Sequence, residues 1–306
     1  MPPFACLCLA VPLLAALPAL AEVPAVVTDI APIHSLVAKV MNGLGDPLTL
    51  VDQGADPHSY QLRPSQARAL AGADLVIRIG PELTPWLDRT LAGAAAARVV
   101  TLLAAEGTIR RPFADTYGGD AAHDHAGTDP HAWLDPRNAK VWTVLIRDAL
   151  IATDPANETT YRANADRALA ELDQIDRDAA AILASAAGQP IIMGHDAYGY
   201  FADHFGLTIA GTVTAGDAAG AGAAHLSSLR TLLAGGKVRC LFPEVGDDPN
   251  QAAALLEGTA TRLGPALDPE GVMTKRGQDL YGALIRELAQ SIADCVKQAG
   301  QDISPP

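Results

Sequence analysis

The chain has 306 residues, of which 49% are hydrophobic and 19% are charged, and its formal net charge is -13 at pH 7. Nucleic-acid binding needs a basic surface for the phosphates, so this acidic balance without a Lys/Arg cluster excludes a nucleic-acid partner and suits a protein that meets cations. Beyond the uncharged N-terminal stretch, no apolar run is as long as a membrane span.

Residues 1–21 carry no charge and end in Ala-Leu-Ala, a small-x-small pattern typical of a signal-peptidase site. We therefore predict a signal peptide, cleavage before Glu22 and a periplasmic location for the mature chain. The alternative is a buried N-terminal helix, which four prolines in this stretch would interrupt.

Short β-branched runs alternate with helical patterns over residues 22–153. The predicted strands are 23–29, 46–52, 73–80 and 98–103, and helices are predicted over 34–45 and 65–73. Such alternation is typical of βαβ units with a mainly parallel sheet. We predict an N-terminal α/β lobe, followed by a surface loop at 109–130 that is rich in Gly, Asp, Ala and His, and then a helix starting at Asp135 and Pro136.

Residues 154–187 have apolar side chains at the spacing of one face of an α-helix. Asp154 and Pro155 are typical of a helix start, and Gly188 and Pro190 are typical of its end. The pattern predicts one long amphipathic helix that joins two lobes and fixes their spacing.

Residues 188–306 repeat the same layering, without a sequence repeat. Strands are predicted at 190–195, 207–214 and 238–244, and helices at 197–206, 225–236, 250–264 and 279–300; residues 265–271 are predicted to be a short strand running into a turn. The predicted architecture is therefore two α/β lobes with mainly parallel sheets, joined by one long rigid helix and separated by a cleft.

Three of the eight histidines share a setting. His58, His131 and His195 each follow a strand or a loop, and each has an Asp within two residues. Loops at the carboxyl ends of parallel strands converge, so three imidazoles there can meet at a metal ion. A nearby carboxylate can accept a hydrogen bond from the second ring nitrogen of a ligating imidazole. The candidates for such outer-shell groups are Asp56, Asp129, Asp135 and Asp196. The alternative is three hydrogen-bonded structural histidines, since they form no compact motif.

Two cysteines remain after removal of the signal peptide, Cys240 and Cys295. In an exported chain, a pair of cysteines usually forms a disulfide. The alternative is two separate buried thiols.

Several stretches resemble the zinc-binding periplasmic proteins of ABC importers, the cluster A-I solute-binding family (ZnuA-like and AztC-like proteins). They occur in the family's order and cover nearly all of the mature chain: GADPHSYQLRPSQARALAGADLVIRIGPELTPWL, DPHAWLDPRNA, GHDAYGYFADHFGL, VRCLFPE and LDPEG. The resemblance implies two lobes joined by a long helix, with zinc in the cleft between them.

Position by position, the resemblance implies that His58, His131 and His195 ligate Zn²⁺ and that Asp268 completes the site. It also implies a disulfide between Cys240 and Cys295. Three imidazoles and one carboxylate suit tetrahedral zinc, whereas manganese prefers more oxygen ligands. Family members that transport manganese carry Glu at the position of His195.

Two stretches depart from the family pattern. The long histidine-rich loop before DPHAW is reduced to His123 and His125, which are either part of a solvated loop or an accessory metal-capture site. The turn FPEVGD replaces an EPQ-like turn and leaves Glu244 as a candidate outer-shell group. His34, His204 and His225 match no ligand position and are expected to be structural or surface residues.

The predicted function is capture of Zn²⁺ in the periplasm and its delivery to an ABC permease, with no catalysis. A manganese or iron carrier of the same family and a zinc-dependent hydrolase are the alternatives, and ligation by Asp268 would exclude the hydrolase because it occupies the position of a reactive water. We expect a monomer, and a periplasmic zinc metallochaperone is a candidate partner.

Overall fold

The computed structural model describes residues 23–92, 97–113, 127–214 and 222–302. The predicted signal peptide and the loop histidines His123 and His125 lie outside these residues. None of the helices in the described part of the chain is long and apolar enough to cross a membrane.

The N-terminal lobe is built on a four-stranded, all-parallel sheet in the order β2-β1-β3-β4. Its strands are β1 (Val26–Thr28), β2 (Leu48–Thr49), β3 (Leu75–Arg78) and β4 (Arg98–Thr101). Helices α1 (Ala31–Val40), α2 (Pro64–Ala71) and α3 (Leu87–Leu91) connect them. All four strands were predicted, because buried central strands such as β1 and β3 need continuous apolar runs.

The C-terminal lobe has a second all-parallel sheet in the corresponding order, β6-β5-β7-β8. Its strands are β5 (Pro190–Met193), β6 (Thr208–Thr212), β7 (Cys240–Phe242) and β8 (Arg262–Leu263). The helices of this half are α6 (Gly199–Phe205), α7 (Ala223–Ala234), α8 (Pro249–Leu256) and α9 (Leu280–Asp302). The predicted α/β fold with two lobes is confirmed.

The long helix between the lobes is α5, Glu158–Leu183, and it follows α4, Pro136–Thr153. It is shorter than predicted at both ends. Pro155–Asn157 form a 3-10 turn, and Asp154 accepts hydrogen bonds from the Tyr161 hydroxyl (2.9 Å) and the Asn157 amide (2.7 Å) at that turn. The predicted cap residue therefore organises the turn before the helix rather than its first residue.

Two elements near residue 260 differ from the prediction. The helix predicted over 250–264 stops at Leu256, because Gly258 has a φ of 74°, and its last residues form strand β8 instead. The short strand predicted at the start of 265–271 is wrong as well: this stretch has an isolated bridge between Leu267 and Glu244, and the predicted turn follows at residues 269–270. Asp268 therefore lies in a loop.

One hydrophobic cluster runs through both lobes and the helices between them. It includes Ile33 of α1, Leu172 of α5, Phe201 of α6 and Leu284 of α9, each at most 1% exposed. The predicted disulfide between Cys240 and Cys295 is present and links β7 to α9. The site loops therefore rest on a continuous scaffold.

Candidate metal centre

His58 lies in a turn that is held by its own neighbours. The Asp56 carboxylate accepts hydrogen bonds from the His58 backbone N–H (2.8 Å) and the Ser59 hydroxyl (2.6 Å). The indole N–H of Trp86 donates to the Pro57 carbonyl at 2.7 Å. These contacts fix the backbone of the turn, and Asp56 contacts the main chain of His58 here.

His131 starts a 3-10 turn, Ala132–Leu134, and is 1% exposed. One oxygen of the fully buried Asp129 contacts both the His131 backbone N–H (2.9 Å) and Nδ1 of its ring (2.8 Å). A carboxylate at Nδ1 favours the tautomer with the proton on that atom, in which Nε2 carries the lone pair that can bind a metal. Of the four predicted outer-shell aspartates, Asp129 has this contact to an imidazole nitrogen.

His195 follows β5, and its Nδ1 lies 3.4 Å from Oε2 of Glu244. The next residue, Asp196, is buried, and its burial and the nearby Asp129 carboxylate raise its pKa to about 6. Asp135, the fourth predicted aspartate, caps α4 through the Arg137 backbone N–H (2.9 Å). It also accepts hydrogen bonds from the Arg137 guanidinium.

The fold brings the three predicted imidazoles together, although they come from distant parts of the chain. The ring centroids of His58 and His131 are 5.8 Å apart, and those of His131 and His195 are 5.1 Å apart. In the described residues, no group of three or more His, Cys, Asp or Glu side chains has its donor atoms arranged to hold a metal ion. The rings are therefore adjacent, but their nitrogens do not form a closed ligand set in this conformation.

Asp268 lies in the loop after β8. Its carboxylate accepts hydrogen bonds from the backbone N–H groups of Val272 (2.9 Å) and Met273 (2.8 Å). The loop is tied to the turn of His131, because the Trp133 indole N–H donates to the Pro269 carbonyl at 2.8 Å. Asp268 thus shapes a loop that is anchored beside one of the three imidazoles.

Glu270 is a neighbouring acid that the sequence analysis missed. Burial and the charges of Glu244, Asp56 and Asp268 raise the pKa of its carboxyl to about 8. The three acids that raise this pKa act on a carboxyl that also interacts with His195, so this region has a negative potential, which favours a cation. The signal in the sequence was the motif LDPEG itself, in which Glu270 stands two residues after Asp268.

The three histidines without a predicted ligand role have partners elsewhere. His34 lies 3.6 Å from Asp46, His204 contacts Asp176 at 2.6 Å, and His225 contacts the Thr212 carbonyl at 2.8 Å. They have the structural contacts that the sequence analysis expected.

Comparison with known proteins identifies the family. Residues 26–295 match the family model "ZnuA: Zinc-uptake complex component A periplasmic". The chain belongs to this family. It is 44% identical to the High-affinity zinc uptake system protein ZnuA of Paracoccus denitrificans, covering 92% of this chain and 94% of that protein. It is 33% identical to the protein of the same name from Brucella suis biovar 1, with coverages of 89% and 92%.

Solved structures of ZnuA-type proteins have the same fold. A zinc-bound deletion mutant of ZnuA superposes with a TM-score of 0.76 at 24% identity, covering 90% of this chain and 98% of that one. The periplasmic zinc-binding protein TroA of Treponema pallidum gives a TM-score of 0.75 at 22% identity, with coverages of 89% and 99%. At these identities, the likeness supports the two-lobe architecture.

Proposed function

We propose that this chain binds Zn²⁺ in the periplasm and delivers it to the permease of an ABC importer. Its membership of a family of periplasmic zinc-uptake components and its zinc-uptake relatives support this function. The observation that carries the proposal is the packing of His58 and His195 against His131, ring to ring. Uptake requires that the protein bind the ion and release it again. We therefore assign no chemical reaction to the chain.

The proposed ligands are His58, His131 and His195, together with the carboxylate of Asp268. Three imidazole nitrogens and one carboxylate oxygen match the tetrahedral preference of zinc, whereas manganese favours more oxygen ligands. We expect binding to draw the nitrogens together by side-chain rotation. Asp129 and Glu244, which lie at Nδ1 of His131 and of His195, are proposed to orient the rings.

Competitive titration of metal-stripped mature protein against a chromophoric chelator tests the function. We expect one zinc ion per chain and weaker binding of Mn²⁺. Alanine at His58, His131 or His195 should each weaken zinc binding by more than about 100-fold, since loss of a ligand exceeds the usual 10–100-fold effect of an outer-shell change. His225→Ala is the control, because its ring contacts the Thr212 carbonyl. Wild-type protein that does not bind zinc would refute the proposal.

The carboxylate ligand needs a separate comparison, because Asp268 and Glu270 lie two residues apart. Asp268→Asn should weaken zinc binding more than Glu270→Gln if Asp268 completes the site. The reverse order would assign the fourth position to Glu270. Replacement of a ligand histidine by alanine should weaken zinc binding more than either of these changes, because the imidazoles supply most of the donor strength.

The chain organisation and further partners are proposed as follows. Residues 1–21 are a signal peptide, 22–153 and 188–306 are the lobes, and 154–187 is the connection; N-terminal sequencing of exported protein tests the cleavage.

His123 and His125 are proposed to capture zinc weakly or to receive it from a metallochaperone. Deletion of residues 121–127 should then slow zinc loading. We propose a monomer, which light scattering after size exclusion would check.

A further inference from the structure

Arg111 lies where three parts of the molecule meet. Its backbone N–H donates to the Tyr200 hydroxyl at 3.0 Å, and that hydroxyl donates to the Asp129 carbonyl at 2.9 Å. The Asp129 backbone N–H donates to the Arg111 carbonyl at 3.0 Å. Tyr200 belongs to α6, the helix that follows His195, and Asp129 precedes His131. The backbone around Arg111 therefore joins the segments that carry two of the proposed ligands.

The Arg111 guanidinium adds side-chain contacts to the same junction. Its Nη1 lies 3.2 Å from Oδ2 of Asp129, and its Nε lies 3.2 Å from Oδ2 of Asp203 on α6. Oδ1 of Asp129 contacts Nδ1 and the backbone N–H of His131. The two oxygens of this buried carboxylate thus have separate tasks: one contacts Arg111, and the other contacts the imidazole.

This division matters because Asp129 is fully buried. A buried carboxylate is costly unless charged or hydrogen-bonded partners compensate it, and an Arg partner also limits its rotation. The direction of Oδ1 sets where Nδ1 of His131 points, and hence the direction of Nε2 on the other side of the ring. A guanidinium at Oδ2 therefore acts on the metal-facing nitrogen through one intermediate group.

Gly199, at the start of α6, makes room for this guanidinium. A Cβ at Gly199 would overlap Nη1 and the central carbon of the Arg111 side chain. The obstructed group is the far end of a flexible side chain, so Gly199→Ala should displace the guanidinium without a large rearrangement of the backbone. This substitution perturbs Arg111 from the other lobe and removes no polar group.

We propose that Arg111 is a positioning residue for zinc binding: it fixes the Asp129 carboxylate, and through it the ring of His131. The proposal rests on the function proposed above. Arg111 has no sequence motif of its own, and its role follows from its contacts to Asp129, Asp203 and Tyr200.

A double-mutant cycle with zinc affinity as the readout tests whether Arg111 acts through Asp129. Arg111→Gln should weaken zinc binding about tenfold, the size expected for an outer-shell contact. In an Asp129→Ala background, Arg111→Gln should have no further effect, because the side-chain group through which it acts is gone. An equal loss in both backgrounds would overturn the proposal, since it would show a role independent of Asp129.

Gly199→Ala gives the second test. It should weaken zinc binding to a similar extent as Arg111→Gln while the melting temperature of the metal-free protein stays near the wild-type value. In ¹⁵N NMR spectra, the ring of His131 should show one tautomer in the wild type and a mixture in both variants. Wild-type zinc affinity in Gly199→Ala would contradict the proposal.

Arg137→Gln is the matched control. Arg137 pairs with Asp135, a carboxylate that is also buried, but Asp135 caps α4 rather than holding His131. Zinc affinity should stay unchanged in this variant. If Arg137→Gln weakens zinc binding as much as Arg111→Gln does, the effect is a general result of breaking an Arg–Asp pair and the positioning role fails. If the wild type binds no zinc, the proposed function fails; if it binds zinc and Arg111→Gln binds it equally well, only the positioning role fails.

Discussion

The indole nitrogen of Trp133 donates a hydrogen bond to the carbonyl oxygen of Pro269 across 136 residues of sequence. Trp133 is fully buried, its ring lies 5.2 Å from that of His131, and its own carbonyl accepts a hydrogen bond from the Tyr281 hydroxyl on α9. One side chain thereby connects the turn of a proposed imidazole ligand with the loop of the proposed carboxylate ligand.

Trp133→Phe should weaken zinc binding and lower the free energy of unfolding. The substitution keeps most of the ring but leaves the buried Pro269 carbonyl without its donor, at a cost of about 1–3 kcal/mol. Chelator competition and urea unfolding measure the two effects. Trp142→Phe is the control, because its indole N–H donates to the Thr108 hydroxyl instead. We expect it to lower stability only, and an equal effect of both variants on zinc affinity would contradict the connection.

Zinc should raise the melting temperature of the wild-type protein. A ligand that binds only the folded state stabilises it by about 2.7 kcal/mol when its free concentration is 100 times the Kd. Differential scanning calorimetry with buffered free zinc checks this. His131→Ala should show no such rise under the same conditions, whereas His34→Ala should respond as the wild type does.

Asp29→Asn should change the pH dependence of stability. Burial raises the pKa of the Asp29 carboxyl from 3.8 to about 6, against hydrogen bonds from the backbone N–H groups of Ile30 and Ile79. A raised folded-state pKa contributes stability that is present below about pH 4 and is lost as the pH rises through about 6. The variant cannot ionise, so its stability relative to wild type should improve by about 2 kcal/mol between pH 4 and pH 7.

Urea unfolding of the metal-free proteins at both pH values measures this difference. Asp148→Asn, at an exposed position, is the control and should track the wild type. A constant difference between Asp29→Asn and wild type would refute the assignment.

Removal of the disulfide should destabilise the C-terminal lobe. Cys240 and Cys295 are separated by 55 residues, and a closed loop of this length corresponds to about 4 kcal/mol in the chain-entropy model. The double Cys→Ala variant should therefore unfold at lower urea concentration than the wild type, and unchanged stability would contradict the expectation. Zinc affinity, measured well below the unfolding transition, should be retained because neither cysteine is a proposed ligand.

The sequence predicted the elements whose pattern is local. The apolar, β-branched runs of β1 and β3 and the amphipathic period of α5 are written in neighbouring residues. Strand β8 was hidden inside a predicted helix, because Arg262 and Leu263 are both exposed and form a strand only by pairing with β7. Its existence depends on tertiary contact rather than on local preference.

The candidate site divides in the same way. The three histidines could be selected from their loop settings and from the family motifs, and the fold brings their rings together. Arg111 could not be selected from the sequence, because its contacts are with residues 129, 200 and 203. No local pattern marks a residue whose partners are defined only by folding. Asp56 and Asp135 were chosen by proximity in sequence, and in the structure their carboxylates accept hydrogen bonds from backbone N–H groups; their outer-shell role stays a prediction.

The shared hydrophobic cluster limits how the ion can enter and leave. A movement that separates the two lobes would expose apolar side chains of this cluster, to which both lobes contribute. Each 400 Å² of apolar surface exposed to water would cost about 10 kcal/mol of free energy. We therefore expect exchange of the ion to proceed by local opening of the loops around His58 and Asp268. The radius of gyration from small-angle scattering should then be nearly equal for empty and filled protein.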